Sequence, residues 1–343
     1  MIEQARAALE HGTVIETSGS TGLPKRVMLS AVALRASAEA TAARVGSGQW
    51  VLALPATYVA GLQVLVRSVL AGTDPVVLDG RFTVQAFAAA TTAATARAKA
   101  KGLPLFTSLV PAQVATLLDD PDGARALAAF DTVLVGGQAL PEPLRQRGAQ
   151  HGASLVGTYG SSETSGGCIY DGVPLDGVQV RVINGELQLS GPMLADGYQG
   201  DAALTEACFV YDVHGTRWYR TGDLGEFVDG IVRVLGRADN VIISGGINVS
   251  LDRVERAVRG VQGLTSAVVL GVADERWGEA SVIFAALDQG NSDAALTAAR
   301  AAVGDLIGAA ARPSRLIAVA EIPHLPSGKP DRQALRNYLA THP

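Results

Sequence analysis

The feature that most constrains the fold of this chain is an alternation of short apolar segments with alanine-rich segments. The apolar segments include QWVLALP, LFTSLV and TVLVGG, and each is followed by a stretch with helical character. Uninterrupted apolar runs of this length are typical of strands buried on both faces of a sheet. Because strands that alternate with helices form parallel sheets covered by helices, the first half of the chain is predicted to be α/β.

Individual elements can be placed from their boundaries. Ser30 is predicted to cap a helix that ends near Val45, since a serine side chain can accept from the first free amides of a helix. A short strand is expected near 75–79. Further helices are predicted over 59–70, 83–99, 112–119, 123–130 and from Pro141 onward.

The pattern changes near residue 171. Asn184-Gly185 and Asp229-Gly230 each lie between alternating segments and predict two β-hairpins. A compact α+β unit is expected to follow, with helices over 251–259 and 293–310. The prediction is therefore a large N-terminal domain over 1–238, whose β-rich subdomain covers about 171–238, and a small mobile C-terminal domain over 239–343.

Composition excludes several classes of protein. The net charge of -5 argues against a nucleic-acid surface. Neither a signal peptide nor a membrane-spanning apolar run is recognisable, so a cytoplasmic protein without membrane insertion is expected. The two cysteines, Cys168 and Cys208, lack metal-site spacing and are interpreted as small buried hydrophobic residues. The expected partner is a small molecule.

The segment TSGSTGLPK at 17–25 combines glycines, hydroxyls and a lysine. Its glycines allow close approach of the backbone to a ligand, and its hydroxyls and Lys25 suit a polyphosphate. It is not the Walker A motif, because Lys25 lies three residues after Gly22 and precedes Arg26. Taken alone, the segment fits an ordinary surface loop equally well.

Six segments in order resemble the adenylate-forming superfamily of acyl-CoA synthetases, peptide-synthetase adenylation domains and luciferases. They are TSGSTGLPK at 17–25, VGGQALP at 135–141, GTYGSSET at 157–164, YRTGDLG at 219–225, GRADNVIISGG at 236–246 and LPSGKPDR at 325–332. The resemblance implies that a carboxylate attacks the α-phosphate of ATP to form an acyl adenylate, and that the thiol of coenzyme A then captures the acyl group.

The resemblance also implies roles for individual residues. The residues expected to bind the ATP phosphates are Thr17, Ser18, Gly19, Ser20, Thr21, Gly22 and Lys25. The residues expected to bind adenosine are Gly137, Gln138, Ala139, Gly157, Thr158, Tyr159, Asp223 and Arg237. Family members carry glycine at the position of Arg26, so Arg26 is expected to add charge near the phosphates.

The same resemblance assigns the chemistry. Lys329 is expected to bridge the substrate carboxylate and the α-phosphate, while Glu163 holds Mg²⁺ beside the hydroxyl of Ser162. Asp239 matches the hinge about which the C-terminal domain rotates. Rotation of the C-terminal domain would bring the loop of Ser244, Gly245 and Gly246 towards the thiol of coenzyme A.

The length of the segment before the phosphate loop suggests which carboxylic acid is the substrate. Only sixteen residues precede the phosphate loop. In this respect the chain resembles the short o-succinylbenzoate-CoA ligases of menaquinone biosynthesis in actinobacteria. Arg67, in an otherwise apolar helix, would then face the carboxylate that is not activated, although a structural ion pair or an outward-reaching side chain would explain it equally well. Tyr58, Ser108 and Gly160 are the other expected acyl-pocket residues.

Two alternatives remain open at this point. The chain could be a ligase for another aryl or acyl acid, or one that loads a carrier protein. The second alternative is a catalytically silent nucleotide- or acyl-binding protein. The presence of Lys329, Glu163 and Asp223 together argues against it, because such a protein has no chemical need for all three. A shortened large domain could also leave apolar surface that a homodimer would cover.

Overall fold

The computed structural model describes residues 1–17, 25–78, 80–287, 289–325 and 328–342. The chain divides into two compact units. The first comprises 1–140, 144–221 and 227–233, and the second comprises 141–143, 222–226 and 234–343. Among the described residues, no helix combines the length and the apolar character that crossing a membrane requires.

Helices and strands alternate along much of the chain. The α-helices are α1 (Ile2–His11), α2 (Ala31–Val45), α3 (Val59–Leu70), α4 (Val84–Lys101), α5 (Pro111–Leu118), α6 (Pro121–Leu127), α7 (Glu142–Gln150), α8 (Ala202–Cys208), α9 (Leu251–Arg259), α10 (Ser292–Leu306) and α11 (Arg332–Thr341). The strands of the first half are β1 (Thr13–Thr17), β2 (Lys25–Leu29), β3 (Gln49–Leu52), β4 (Val76–Val77), β5 (Leu105–Leu109), β6 (Thr132–Val135), β7 (Leu155–Ser161), β8 (Gly166–Tyr170) and β9 (Val173–Pro174). Those of the second half are β10 (Gln179–Ile183), β11 (Glu186–Ser190), β12 (Gly197–Tyr198), β13 (Phe209–Tyr211), β14 (Arg217–Val228), β15 (Ile231–Arg237), β16 (Val241–Ser244), β17 (Ile247–Ser250), β18 (Val268–Asp274), β19 (Gly278–Ala286) and β20 (Arg315–Val319).

The largest sheet confirms the α/β prediction. Its strand order is β4-β3-β5-β6-β7-β8-β9. The pairs β3–β4, β3–β5, β5–β6 and β6–β7 are parallel, whereas β7–β8 and β8–β9 are antiparallel. Strand β5 is buried along its whole length, as expected for a parallel strand covered on both faces.

Local sequence explains where the helices around this sheet begin and end. Ser30 Oγ accepts from the Ala33 amide at 3.2 Å, and Thr83 caps α4 in the same way. Helix α4 ends at Gly102, whose φ of 63° is the left-handed conformation that favours glycine. Its buried residues, Phe87, Ala90, Thr91, Ala94 and Ala98, follow helical spacing and pack into the core beneath the sheet.

The β-rich region contains both predicted hairpins. Strands β10 and β11 pair so that Ile183 faces Glu186, with Asn184 at φ 51° and Gly185 at φ 81°. Asp229 and Gly230 also have positive φ and connect β14 to β15. Asparagine, aspartate and glycine tolerate this conformation, which explains why these pairs mark the turns.

The second unit is built on the sheet β17-β16-β19-β18, to which β20 adds beside β19. Side chains alternate along β18, so Val269 joins a core with α9 and α10, while Val268 and Leu270 join another core with Leu335 of α11. Helices therefore cover both faces of this sheet.

Some predictions were wrong in detail. Helix α1 was not predicted, although Ala5, Ala8 and Leu9 recur at helical spacing and are buried. Helix α10 ends at Leu306 rather than 310, and Gly308 follows with a φ of 125°. Cys168 is buried as expected, but Cys208 is only half-buried.

This difference predicts unequal reactivity of the two thiols. Burial raises the pKa of the Cys168 thiol to about 12, so Cys168 stays neutral and unreactive at pH 8. We expect iodoacetamide to modify Cys208 in the native chain and Cys168 only after unfolding, as measured by intact and peptide mass. Cys208→Ser should abolish native labelling, and equal labelling of both thiols would contradict the buried position of Cys168.

Candidate active site

Strands β1 and β2 hold the two ends of the predicted phosphate loop. They pair antiparallel, with Thr17 opposite Lys25. The predicted phosphate-binding residues Ser18, Gly19, Ser20, Thr21 and Gly22 lie outside the described residues. Lys25 is half-buried, and its Nζ lies 5.6 Å from the centroid of the Tyr198 ring.

Arg26 lies on the opposite face of the strand from Lys25, because successive side chains of a strand alternate. It forms an exposed ion pair with Glu16, with 3.7 Å between Nε and Oε1. Glu16 faces Arg26 directly in the β1–β2 register. The added positive charge expected at Arg26 is therefore offset by a neighbouring carboxylate.

Glu163 lies in a short 3₁₀ turn, Ser162–Thr164, immediately after β7. Glu163 and Ser162 are both 8% exposed. The Tyr198 hydroxyl donates to Glu163 Oε1 at 2.8 Å, and the Ala195 amide donates to the Glu163 carbonyl at 2.8 Å. Burial and the adjacent Glu163 carboxylate raise the pKa of Tyr198 well above its usual value, so Tyr198 keeps the proton that it donates.

The adenosine candidates of the first unit meet at one edge of the large sheet. Strands β6 and β7 are parallel, with Val135 beside Gly157, so Gly137, Gln138 and Ala139 follow β6 close to Thr158 and Tyr159. A Cβ on Gly136 would lie 2.6 Å from Thr158 Oγ1, which explains a glycine there. Tyr159 is half-buried. The sheet therefore brings together two segments that are distant in sequence.

An ion pair anchors the start of this segment. The Gly157 amide donates to Asp171 Oδ1 at 2.8 Å, and Arg145 Nη2 donates to the same oxygen at 2.6 Å. Asp171 begins the turn between β8 and β9 and has a φ of 48°. This contact attaches the backbone of β7 to the antiparallel edge of the sheet.

Arg67 is a buried cation on a buried helix. Helix α3 is buried from Gly61 to Ser68, and Arg67 is 7% exposed. Its guanidinium carbon lies 5.2 Å from the centroid of the Trp50 ring, while its Nε is buried without a hydrogen-bond partner. No carboxylate of a described residue forms an ion pair with Arg67. Burial lowers the pKa of Arg67, because desolvation disfavours its charged form.

The other acyl-pocket candidates lie on the same unit. Tyr58 precedes the first turn of α3 and is half-buried, Ser108 is 7% exposed on β5, and Gly160 is exposed on β7. A Cβ on Gly160 would lie 2.1 Å from the Gly166 carbonyl oxygen, so β7 and β8 approach too closely there for a side chain. Gly160 is thus explained by strand packing whether or not it contacts substrate.

The remaining nucleotide candidates, Asp223 and Arg237, lie in the second unit, together with Asp239. Arg237 contacts both oxygens of Asp239, at 3.0 Å from Nε and 3.1 Å from Nη2. Its Nη1 lies 3.5 Å from Asp223 Oδ1. One guanidinium thus joins the expected ribose-binding residue to the expected hinge residue.

The expected CoA-side loop is a tight hairpin turn. Ser244 pairs with Ile247, so Gly245 and Gly246 form the two-residue connection between β16 and β17. Their φ values, 58° and 79°, are both positive, as a type I′ turn requires. The Gly245 amide donates to the Trp277 carbonyl at 2.8 Å. The turn accounts for the glycines without reference to a ligand.

Lys329 is exposed on a loop whose ends are fixed within the second unit. His324 and Pro330 form a β-bridge, and the Leu325 amide donates to the Lys329 carbonyl at 2.8 Å. Arg332, three residues further on, donates to Glu255 Oε2 at 2.6 Å. Glu255 also binds Arg259 at 2.8 Å and is buried. A buried ion network therefore anchors the chain directly after Lys329.

Glu163 fits a magnesium ion that arrives with a nucleotide. Among the described residues, no group of three or more histidine, cysteine, aspartate or glutamate side chains could hold a metal ion. Mg²⁺ commonly uses one or two carboxylates together with substrate phosphates. Glu163 Oε1 accepts from Tyr198, and no contact within the described part of the chain occupies Oε2. The donor set therefore suits a shared ion rather than a protein-enclosed one.

Sequence reasoning missed two residues that the structure places at these sites. Tyr198 was not singled out, because a Gly-Tyr pair in a turn-rich segment has no distinctive spacing. Glu255 looked like an ordinary residue of a charged helix, yet it is 8% exposed between two arginines. Both depend on contacts across long stretches of sequence.

Comparison with known proteins identifies the family. Residues 12–199 match the AMP-binding enzymes, and residues 253–329 match the AMP-binding enzyme C-terminal domain. The chain belongs to the AMP-binding enzyme family, as the motif resemblance predicted.

Relatives and solved structures extend this result. A probable 2-succinylbenzoate–CoA ligase from Mycobacterium tuberculosis is 41% identical over 94% of this chain and 83% of its own length. The 2-succinylbenzoate–CoA ligase of Escherichia coli is 30% identical over 85% of this chain and 63% of its own. The o-succinylbenzoate CoA synthetase of Bacillus subtilis, in complex with its acyl-adenylate intermediate, superposes with a TM-score of 0.79 at 26% identity. That superposition covers 95% of this chain and 69% of the other.

The Glu255 network generates a stability prediction. Glu255→Ala would leave Arg259 buried without this carboxylate, which should destabilise the second unit by about 3–5 kcal/mol, since breaking a buried pair strands a charge. Hydrogen exchange on the full chain should show faster exchange of the β18 amides. Glu321→Ala, an exposed change in the same unit, is the matched control. Equal protection in both variants would refute the prediction.

Proposed function

We propose that this chain is an ATP-dependent ligase that activates 2-succinylbenzoate and transfers the acyl group to coenzyme A. In the first step a carboxylate oxygen bonds to the α-phosphorus, and the bond to the β-phosphate oxygen breaks to release pyrophosphate. In the second step the sulfur of coenzyme A bonds to the acyl carbon, AMP leaves and the thiol proton is lost. Use of ATP and coenzyme A follows from family membership and from the relatives described above.

The observation that carries the choice of acid is the buried, unpaired charge of Arg67. A desolvated cation without a counter-ion is unfavourable, because burial removes its hydration and no opposite charge replaces it. The structure offers no carboxylate of a described residue to Arg67. A diacid brings a second carboxylate that is not consumed in the reaction, and we assign that carboxylate to Arg67. Tyr58, Ser108 and Gly160 are proposed to line the same pocket.

The phosphate side of the site is proposed to comprise the 17–25 loop, Glu163 and Ser162. Lys25 would contribute a point charge to the β- and γ-phosphates, and the loop hydroxyls and amides would donate to their oxygens. Mg²⁺, when bound between Glu163 and the phosphates, would neutralise charge on the leaving pyrophosphate. The burial of Glu163 supports this proposal, because a carboxylate held away from bulk water attracts a cation more strongly.

The adenosine side is proposed to comprise the two segments at the sheet edge, with Tyr159 stacking on the base. Asp223 would accept from the ribose hydroxyls, as an ionised carboxylate with two oxygens can. Arg237, which contacts Asp223 and Asp239, would support that interaction. These assignments follow the family pattern residue by residue.

Lys329 is proposed as the catalytic cation of the first step. Its ammonium would lie between the attacking carboxylate and the α-phosphate, where it offsets their repulsion and the charge of the transition state. Rotation about Asp239 would then withdraw Lys329 and present the Ser244, Gly245 and Gly246 loop to the thiol of coenzyme A.

The domain boundary at Asp239 and the formation of a homodimer remain predictions.

The acid assignment is tested by a panel of acids with pyrophosphate release as the readout. We expect 2-succinylbenzoate to be activated at least about 100-fold more efficiently than 4-oxo-4-phenylbutanoate or 2-butanoylbenzoate, each of which lacks one of the two carboxylates. Mass spectrometry should detect the thioester when coenzyme A is added. Preference for an unrelated acid or a carrier-protein thiol would replace the substrate assignment, and absence of pyrophosphate release with every acid would favour a silent binding protein.

Variants of Arg67 sharpen the same test. Arg67→Met should abolish the preference for the diacid, while Arg67→Lys should retain part of it, since a cation remains. Because no partner would be stranded, we expect the melting temperature of Arg67→Met to match or exceed that of the wild type. A lower melting temperature together with unchanged acid preference would make Arg67 a structural residue instead.

Lys329 is tested by separating the two half-reactions. Lys329→Ala should lower pyrophosphate release by about 100-fold or more, because one transition-state charge contact is removed. Thioester formation from a supplied acyl adenylate should change less than about twofold, since the proposed pose for that step withdraws Lys329. Lys101→Ala, at the end of α4, is the lysine control. Unchanged pyrophosphate release in Lys329→Ala would refute its catalytic role.

A further inference from the structure

We infer that Tyr198 is a positioning residue that orients the Glu163 carboxylate and keeps the Lys25 ammonium apart from it. The inference rests on the proposed use of ATP but not on the identity of the acid. Tyr198 lies outside the six motifs that point to the family. Its importance follows from two contacts, one with each of two charged residues.

Strand pairing brings Tyr198 to this position. Strand β12 pairs antiparallel with β2, so Gly197 lies opposite Met28 and Tyr198 lies opposite Val27. Directly opposed residues project to the same face, and Lys25 is on that face because it is two residues from Val27. Lys25 is thus a diagonal neighbour of Tyr198, which agrees with the distance of 5.6 Å from Nζ to the ring centroid.

Both the backbone and the ring of Tyr198 are held in place. The Tyr198 amide donates to Thr205 Oγ1 in a contact with its own neighbouring helix, at 2.9 Å. The ring packs against Phe209, with 6.0 Å between centroids, and the whole residue is 3% exposed. The hydroxyl therefore has a defined direction, and it points at Glu163 Oε1, 2.8 Å away.

The same segment fixes the Glu163 backbone. The Ala195 amide donates to the Glu163 carbonyl, so Ala195 holds the main chain while Tyr198 holds the side chain. A carboxylate bound through one oxygen keeps the other for a cation, and its rotation is restricted. Tyr198 would in this way preset Glu163 before nucleotide arrives.

The Lys25 contact has a different consequence. A ring face attracts an ammonium without neutralising it. No ion pair between Lys25 and Glu163 occurs among the described residues, and the Tyr198 ring contacts Lys25 while its hydroxyl contacts Glu163. In a direct ion pair, Lys25 and Glu163 would neutralise each other. In this arrangement the Lys25 ammonium can bind phosphate oxygens and the Glu163 carboxylate can bind Mg²⁺.

The test measures nucleotide binding without turnover. Binding of an ATP analogue with a methylene group between the α- and β-phosphorus atoms is titrated calorimetrically with Mg²⁺ and again with EDTA. For Tyr198→Phe, which keeps the ring, we expect the affinity gained from Mg²⁺ to fall at least about tenfold, because a hydrogen bond to a charged group is lost. Binding in EDTA should change less than about twofold, since the Lys25 contact remains.

Four further variants complete the design. Tyr211→Phe, an exposed tyrosine on β13, should match the wild type. Glu163→Gln should lose the Mg²⁺ gain, and adding Tyr198→Phe to it should have little further effect, as coupled residues are non-additive. Tyr198→Leu, which also removes the ring, should weaken binding in EDTA as well. Thermal unfolding of each variant checks that it is folded.

Several results would overturn the inference. These are an Mg²⁺ gain in Tyr198→Phe equal to that of the wild type, an equal loss with Mg²⁺ and with EDTA, or no Mg²⁺ gain in the wild type. Because no acid is present in this assay, failure here leaves the acid assignment standing. Conversely, preference for another acid in the panel leaves the role of Tyr198 intact.

Discussion

Parallel pairing of β3, β5, β6 and β7 is the constraint on which the candidate site of the first unit depends. Parallel strands end at the same edge of their sheet, so the loops that follow them meet there. The segment after β6 and the residues of β7 become neighbours because Val135 pairs with Gly157. Glu163 follows β7 directly, in the turn where the chain reverses into β8. A shift of this register would separate the adenosine candidates.

Two buried charged side chains, Glu255 and Arg67, differ in the partners that surround them. Glu255 is buried but satisfied by Arg259, Arg332 and the Val269 amide, so it contributes to structure. Arg67 is equally buried, yet within the described part of the chain its guanidinium contacts the Trp50 ring and its Nε has no hydrogen-bond partner. Since an isolated buried charge is costly, Glu255 belongs to a structural ion network, whereas Arg67 is the residue proposed to bind an anion.

Much of the fold and the list of candidate residues could be predicted from the sequence. Helix α9 begins and ends where expected, at Leu251 and Arg259, and the Asn184-Gly185 turn forms as its composition indicated. Such features depend on neighbours along the chain. The end of α10 and the existence of α1 were missed, because weak amphipathic signals from alanine do not define a boundary. Tyr198 was missed because its partner Glu163 is 35 residues away.

The sequence by itself determined the family, through six motifs in order. It also supplied the candidate site residues: a lysine in the predicted phosphate loop, an acidic residue after β7 and a lysine near the C-terminus. Only the tertiary structure decided which of these groups are buried, paired or held apart. Burial and pairing depend on contacts between distant strands and helices, and local sequence patterns carry no record of them. Two examples are the burial of Arg67 without a carboxylate partner among the described residues and the contacts of Tyr198 with both Lys25 and Glu163.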